Sequence, residues 1–393
     1  MSLPRVLCFL ACIIAVAACG SDQQQSEKFA ASSDVVSSRL SELLGNDDRA
    51  AFPLVLEART FRFPEDHGAH PEYRNEWWYL TGNLDSSAGR RYGYELTLFR
   101  FALTPSTATA GQISNWRSRQ VYIGHLALTD AARGEFHVAQ RYSRDALGLA
   151  GATDNPLRVW LDDWSIVDVG ATNDTDRLRW KVSAMHDDFG IRLDVETATP
   201  PVLHGDRGLS RKSAEAGNAS YYYSMPRLET SGEIRVGSTM ERVSGLSWLD
   251  REWGSSALAA NQQGWDWFAL QLGDGSSLMF YRLRRNDGSV DPMSAGTWMP
   301  ASADPLPLTA RDVDLDVRRY WDSPHGGRYP LAWRMRIAKL GLDLEIDPVI
   351  DAQELLATVR YWEGAVDTQG DIRGTRIQGR GYVELTGYGD RRE

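Results

Sequence analysis

The stretch WLDREWG, Trp248 to Gly254, sets two carboxylates, Asp250 and Glu252, among tryptophans. In an extended strand, residues two apart share a face, so Trp248, Asp250 and Glu252 line one side and Leu249, Arg251 and Trp253 the other. A carboxyl against an apolar wall resists ionisation, and one that keeps its proton near neutral pH can serve as a general acid. Two further segments have the same make-up. NEWWYLTGNL puts Glu76, Trp78 and Leu80 on one face and Asn75, Trp77 and Tyr79 on the other. GWDWFALQL places Asp266, between Trp265 and Trp267, on the face of Phe268 and Leu270. An isolated buried charge is costly, so each of these acids must be protonated or paired. Pairing with nearby arginines, such as Arg100, Arg251 and Arg282, is the competing reading for Glu76 and Asp266. The run YYYS, Tyr221 to Ser224, adds hydroxyls. Tyr221 and Tyr223 share a face, where they suit a pocket mouth or a proton relay, or equally a domain-interface strip.

Other chemistries lack their residues. There is no Gly-x-Ser-x-Gly elbow, no Walker A loop and no dinucleotide fingerprint after a strand. The seven histidines are scattered. His67 and His70 lie in EDHGAHPEY, whose Pro and Gly make a loop rather than a helical metal box, and His125 reads as a core histidine. No metal and no cofactor are expected. The net charge is −10 without a basic block, which argues against nucleic acid as a partner.

All three cysteines, Cys8, Cys12 and Cys19, fall at the start of the chain. The body therefore has no disulfide framework and no thiolate nucleophile. MSLPR followed by LCFLACIIAVAA has the charge and length of a signal peptide, residues 1–18. The segment VAAC, Val16 to Cys19, resembles a bacterial lipobox. That resemblance implies lipidation of Cys19 and attachment to a membrane; a plain signal peptide cut near Ala18 is the alternative. By analogy with lipoprotein sorting, the absence of Asp directly after Cys19 suggests the cell envelope, at the outer membrane facing the periplasm. Residues 19–52 read as a tether, polar at first, with one short amphipathic helix carried by Val36, Leu40, Leu43 and Leu44.

From about residue 60 the pattern turns to period two. YGYELTLFRFAL, VYIGHLALTD, LRVWLDDWSIV and RLRWKVSAMH alternate as strands do, and Gly-Asp-Gly in the second half marks a hairpin. Long amphipathic helices are almost absent. The expected fold is all-β: two tandem antiparallel β-barrel domains, 53–235 and 236–393, with Pro226 and the Ser-Gly pair after it near the boundary. Aromatic–acid clusters occur in both halves, so the two domains are expected to share one site at their interface.

The ordered set HPEYRNEWWYLTGNL, YYYSMPRL, GLSWLDREWGS, GWDWFALQL, RYWEGAV and GRGYVELTGY resembles the AttH-type lipocalin-like family. That family is grouped with the carotenoid 1,2-hydratases and carries the label "predicted secreted hydrolase". The resemblance runs from about 60 to 388 and implies two lipocalin-like barrels that hold a hydrophobic small molecule or lipid. In the hydratases an Asp two residues after an aromatic protonates a carbon–carbon double bond and water adds to the cation. Here that implies Asp250 as acid and Trp248 as the cation-facing wall, with Tyr223 or Glu76 orienting water. Glu76, Trp78, Tyr221, Trp265, Asp266 and Trp267 are the expected ligand-binding residues. A His and Trp pair of the hydratases falls on Tyr222 to Ser224, which has neither. Glu252 has no matching role and reads as structural, held by an arginine. An enzyme of this kind is a hydro-lyase or hydrolase. The alternative is a non-catalytic carrier, since family members are described beside ABC-type export systems. A purely structural envelope lipoprotein is a third reading.

Overall fold

The alternation seen in the sequence continues through almost every segment of the computed structural model. It describes residues 51–105, 118–170, 177–255 and 258–389. The signal peptide, Cys19 and the tether up to residue 50 lie outside the described residues. All described residues fall in one compact unit that runs from Ser38 to Glu393. Among them there is no α-helix, only the 3-10 turns Glu65–His67, Ala146–Gly148 and Ala338–Leu340.

The first sheet holds β1 (Asn75–Ser86), β2 (Arg91–Ala102), β3 (Gln120–Asp130), β4 (Glu135–Arg144), β5 (Ala150–Asp154), β6 (Leu157–Leu161), β7 (Trp164–Asp168), β8 (Leu178–His186), β9 (Phe189–Thr197), β10 (Val202–Leu203), β11 (Leu209–Arg211), β12 (Ala219–Val236) and β13 (Thr239–Gly254). Its order is β4-β3-β2-β1-β13-β12-β9-β8-β7-β6-β5, with β10 and β11 added on β12. The second sheet holds β14 (Gln262–Leu272), β15 (Ser277–Arg285), β16 (Ala295–Met299), β17 (Leu306–Thr309), β18 (Asp314–Asp322), β19 (Arg328–Ile337), β20 (Leu342–Pro348), β21 (Glu354–Leu356), β22 (Arg360–Ile372) and β23 (Thr375–Thr386). Its order is β17-β16-β15-β14-β23-β22-β20-β19-β18, with β21 on β22. Each sheet forms a barrel or half-barrel, which agrees with the all-β, lipocalin-like expectation.

The expected boundary at 235/236 falls at the tip of the β12–β13 hairpin. Its two strands pair from Ser220↔Gly254 to Val236↔Thr239, so both stay in the first sheet. The change of sheet comes later, between Gly254 and Gln262. Pro226 is no linker either. It sits within β12 at a register shift between Met225 and Leu228, where a residue without an N–H is tolerated.

The central strands are buried on both faces. Trp78, Leu80, Tyr221, Tyr223, Leu249 and Trp253 point into the first core. Phe268, Leu270, Trp362, Val383 and Leu385 point into the second. Their neighbours of opposite parity, including Tyr79, Tyr222, Trp248, Trp267, Ala365 and Tyr382, meet between the sheets as a third cluster. Polar contacts fix this junction. Gln271 Nε2 donates to Pro226 O at 2.7 Å and Ser247 O at 3.0 Å. Arg91 pairs with Asp367, and Arg380 with Asp85. Gly93 is needed for the approach, since a Cβ there would lie 2.6 Å from Ala365 Cβ.

Candidate active site between the two sheets

The third cluster is not solid. It encloses a cavity of about 110 Å³ whose walls come from both sheets. From the first sheet come Trp77, Tyr79, Thr97, Phe99, Tyr222, Asp250 and Glu252, joined by Lys212. From the second come Trp265, Trp267, Tyr281, Tyr361, Glu363 and Glu384. Trp77, Phe99 and Trp265 are half-buried and mark the mouth. A cavity of ~150 Å³ takes a benzene ring. This one is smaller, so it takes a group of a few atoms, and the rest of a long substrate must lie outside it.

Strand parity decides which side chains arrive. In β12–β13, Ser224 stands opposite Asp250 and Tyr222 opposite Glu252. Tyr222 Oη donates to Asp250 Oδ2 at 2.5 Å. Ser224 Oγ donates to Oδ1, and Trp248 Nε1 donates to the same oxygen at 2.7 Å. Among the described residues no ion pair involves Asp250. Burial pushes its carboxyl from 3.8 up to about 7 against these three hydrogen bonds, and Glu252 adds repulsion. The Tyr222 hydroxyl can rotate, so it can accept from the protonated carboxyl and donate to the ionised one. Its oxygen also accepts from Trp267 Nε1 at 3.1 Å.

Glu252, two residues on, has a different environment. Lys212 Nζ lies 2.9 Å from Oε1, and Ser220 Oγ donates to the same oxygen at 2.5 Å. Burial works against the charge of Lys212, but Glu252, with Tyr281 and Asp250, more than offsets this and raises its pKa. The ammonium also lies 4.5 Å from the Tyr281 ring centroid and 5.1 Å from that of Tyr222. The pair of acids thus has one member without a cation and one with an ammonium. The expected arginine is replaced by a lysine that comes from after β11, which the local sequence of β13 could not reveal.

Behind Ser224 stands His204, which is buried. Its Nε2 lies 2.6 Å from Ser224 Oγ and its Nδ1 2.8 Å from Thr297 Oγ1. Since Ser224 donates to Asp250, Nε2 carries the proton and Nδ1 accepts. Burial pushes His204 down to about 3, which leaves a neutral ring that orients Ser224.

Across the cavity, Glu363 and Glu384 stand directly opposite one another on β22 and β23. Tyr79 Oη donates to Glu363 Oε2 at 3.1 Å, and Trp265 Nε1 to Glu384 Oε1 at 2.8 Å. Burial pushes Glu384 up to about 8, with repulsion from Asp250 and Glu252. Burial raises Glu363 well above the usual range, and Glu384 and Glu95 add to this. Behind them Tyr361 Oη meets His125 Nδ1, so His125 is a satisfied core histidine, as its strand context suggested.

Several expected site residues lie elsewhere. Tyr223 has the opposite parity to Tyr222 and points into the first core, where its hydroxyl lies 2.6 Å from His67 Nδ1. It orients nothing in the cavity. Tyr221 and Trp78 share that core. The Tyr221 hydroxyl donates to Glu57 O at 2.9 Å, and Trp78 Nε1 donates to His67 O at 2.9 Å. Glu76 is fully buried between Arg100 and Arg251, the latter 3.1 Å away. Burial alone would raise its pKa, but Arg100 and Arg251 hold it far below the usual range. Asp266 points into the second core and is gripped by Arg282 at 2.7 Å, Arg284 at 3.1 Å and the Tyr388 hydroxyl at 2.8 Å. Arginine pairing is thus the reading that holds for both acids. Trp248 touches Asp250 through its N–H and packs edge-on to Trp267, so it positions the acid rather than forming the wall. Trp265, Trp267 and Asp250 do meet at the cavity. Among the described residues no group of three or more His, Cys, Asp or Glu could hold a metal.

A family model described as AttH-like matches residues 54–388. The chain belongs to the AttH-like family. The crystal structure of an AttH protein from Nitrosomonas europaea is 35% identical, with a TM-score of 0.75 over 86% of this chain and 100% of that one. Kievitone hydratase from Nectria haematococca is similar in fold, with 16% identity and a TM-score of 0.64 over 86% of this chain and 98% of that one. CghA, solved with Sch210972, follows at 12% identity and a TM-score of 0.50, over 86% and 96%. No curated protein sequence matches the chain. In this AttH-like chain the overlooked site residues had a signal in two of the quoted motifs. Glu363 follows Tyr361 by two in RYWEGAV, and Glu384 follows Tyr382 by two in GRGYVELTGY. Both repeat the aromatic–acid spacing of Trp248 and Asp250.

Proposed function

We propose that this protein is a hydratase-type enzyme that adds water across a carbon–carbon double bond of a hydrophobic substrate. The observation that carries the reading is Asp250, a buried acid with three hydrogen-bond donors and no cation, facing an aromatic cavity. Asp250 delivers the proton to carbon. Glu252, ion-paired with Lys212, takes a proton from the attacking water. Two acids whose surroundings differ in this way divide into acid and base. They stand roughly 7 Å apart along one strand face, so proton and hydroxyl add to the same side of the double bond. The aromatic rings of Trp77, Tyr79, Trp265 and Trp267 steady positive charge at the reacting carbon.

The kievitone hydratase neighbour supports this reading through its fold, and kievitone is one compound to test. Purified protein is incubated with hydrophobic alkenes, kievitone among them, in ¹⁸O-labelled water. The expected product has gained one labelled water, and Asp250→Asn loses it. Turnover that survives Asp250→Asn would overturn the assignment. A carrier would retain the apolar wall but has no use for an unpaired acid. The lipid anchor at Cys19 and the outer-membrane location belong to the same proposal, supported by the VAAC segment. The intact mass of the membrane-extracted protein tests it, since Cys19→Ser abolishes any acyl increment.

A further inference from the structure

The water that gives its proton to Glu252 must be held beside that carboxylate, and Lys212 is placed to hold it. Lys212 follows directly on β11, and both of its backbone groups are fixed. Its N–H donates to Asn218 O at 2.9 Å, and its carbonyl accepts from Gln262 Nε2 at 2.7 Å. The segment is thereby tied to the starts of β12 and β14, and the side chain, 11% exposed, forms part of the cavity wall. An ammonium carries three N–H bonds, and the contact with Glu252 Oε1 takes one of them. Among the described residues no hydrogen bond joins Nζ to another oxygen. The ring faces of Tyr281 and Tyr222 attract the charge but offer the remaining N–H groups no oxygen. Buried donors need acceptors, and the open direction from Nζ is the cavity. Glu252 is divided in the same way. Its Oε1 receives Ser220 Oγ and faces Lys212, whereas among the described residues no donor reaches Oε2. One wall of the cavity therefore offers N–H donors and a carboxylate acceptor side by side. A hydroxyl group matches both, since its oxygen accepts from Lys212 and its proton is given to Glu252. An ether or carbonyl oxygen meets only the donor, and an ammonium only the carboxylate.

We propose that Lys212 and Glu252 form a hydroxyl receptor, which holds the water that adds and, after addition, the alcohol oxygen of the product. The proposal rests on the hydratase reading for the identity of that oxygen and on the ion pair alone for its recognition. Asp250 gives its proton to one alkene carbon, the π pair forms the new C–H bond, and positive charge is left on the other carbon. The held water gives a lone pair to that carbon, the C–O bond forms, and the water's proton passes to Glu252 Oε2. Lys212 keeps all three of its protons. Its N–H occupies one lone pair of the water and leaves the other to face the carbon, so the water arrives oriented. The proton on Glu252 then returns to Asp250 through water. The net change is one water added, with no change of oxidation state. In the reverse direction the same N–H groups hold the hydroxyl that leaves. Lys212 is thus a catalytic residue as well as the counter-ion of Glu252.

The test compares two probes of nearly equal shape, 1-pentanol and 1-fluoropentane, titrated against the native protein and followed by ¹H NMR of the probe. Fluorine takes the place of the oxygen, has no proton for Glu252 and accepts only weakly from Lys212. The alcohol is expected to bind about tenfold tighter, the worth of one hydrogen bond to a charged group. The double variant Lys212→Met with Glu252→Met replaces both partners by apolar side chains and leaves no buried charge unpaired. It should bind the two probes equally. Equal binding to the native protein, or an unchanged alcohol preference in the double variant, would overturn the proposal. Should the double variant not fold, the native comparison still decides. An alcohol preference that depends on the pair, without turnover of any alkene, removes the hydratase reading and leaves the hydroxyl receptor. Equal probe binding with Asp250-dependent turnover does the reverse.

Discussion

Tyr222 and Asp250 face the same cavity from neighbouring strands, and the phenol donates to the carboxyl at 2.5 Å. The contact depends on register. Asp250 stands opposite Ser224, so before the register shift at Met225 the even-numbered residues Tyr222 and Ser224 share its face and Tyr223 does not.

Replacing Tyr222 and Tyr223 by Phe should therefore give different results. Tyr222→Phe removes a donor to the carboxylate left after proton delivery, a bond worth about 1.5–3 kcal/mol, or roughly ten- to a hundredfold in turnover. The lost hydrogen bond had lowered the Asp250 pKa, so the alkaline limb of the rate profile should move to higher pH. Tyr223→Phe loses its contact to His67 in the first core and should lower Tm with little change in the pH profile. Rate profiles of both variants check this.

Asp250 should cost stability at alkaline pH. Its folded pKa, about 7, is above the unfolded 3.8, so between these values the folded state binds the extra proton. Stability contributed by this group is full below about pH 4 and falls as pH rises to about 7. The loss is on the order of 4 kcal/mol for a shift of about three units. Asp250→Asn has no such loss. Urea unfolding should show the variant gaining on the native protein from pH 4 to pH 8, the mark of a group kept for function rather than stability.

Catalysis by a protonated Asp250 sets the sign of the activity profile. Turnover should fall above pH 7 with a single ionisation, as the acid loses its proton. Measurement of kcat/KM between pH 5 and 9 tests this, and a rate that rises with pH would assign Asp250 the role of base.

The Glu76 site should behave as structure. Arg100→Met leaves the Glu76 carboxylate with Arg251 but without its nearest partner. Breaking a buried pair costs about 3–5 kcal/mol. The expected result is a lower urea midpoint, while the folded fraction keeps its ligand affinity because Glu76 points away from the cavity.

Most of the fold was legible in the sequence because a strand writes its burial at period two. Where both faces are buried, parity alone does not say which face carries chemistry. Asp250 could be placed on the Trp248 face from WLDREWG, but whether Tyr222 or Tyr223 meets it depends on how β12 pairs with β13. That register is not local information. The same limit hid Lys212, 40 residues before its partner Glu252, and Glu363 and Glu384, whose cavity exists only once the second sheet packs on the first. Glu76 and Asp266 look like Asp250 in sequence, and only the arginines across the sheet distinguish them. The expected boundary at 235/236 lay at a turn, and the turn belongs to a hairpin inside one sheet.

The most direct measurement is the titration of Asp250 itself, followed by ¹³C NMR of protein labelled at aspartate carboxyls and assigned with Asp250→Asn. The expected midpoint lies near pH 7, well above that of an ordinary aspartate. A midpoint near pH 4 would make Asp250 an ionised core carboxylate and contradict its role as the proton donor.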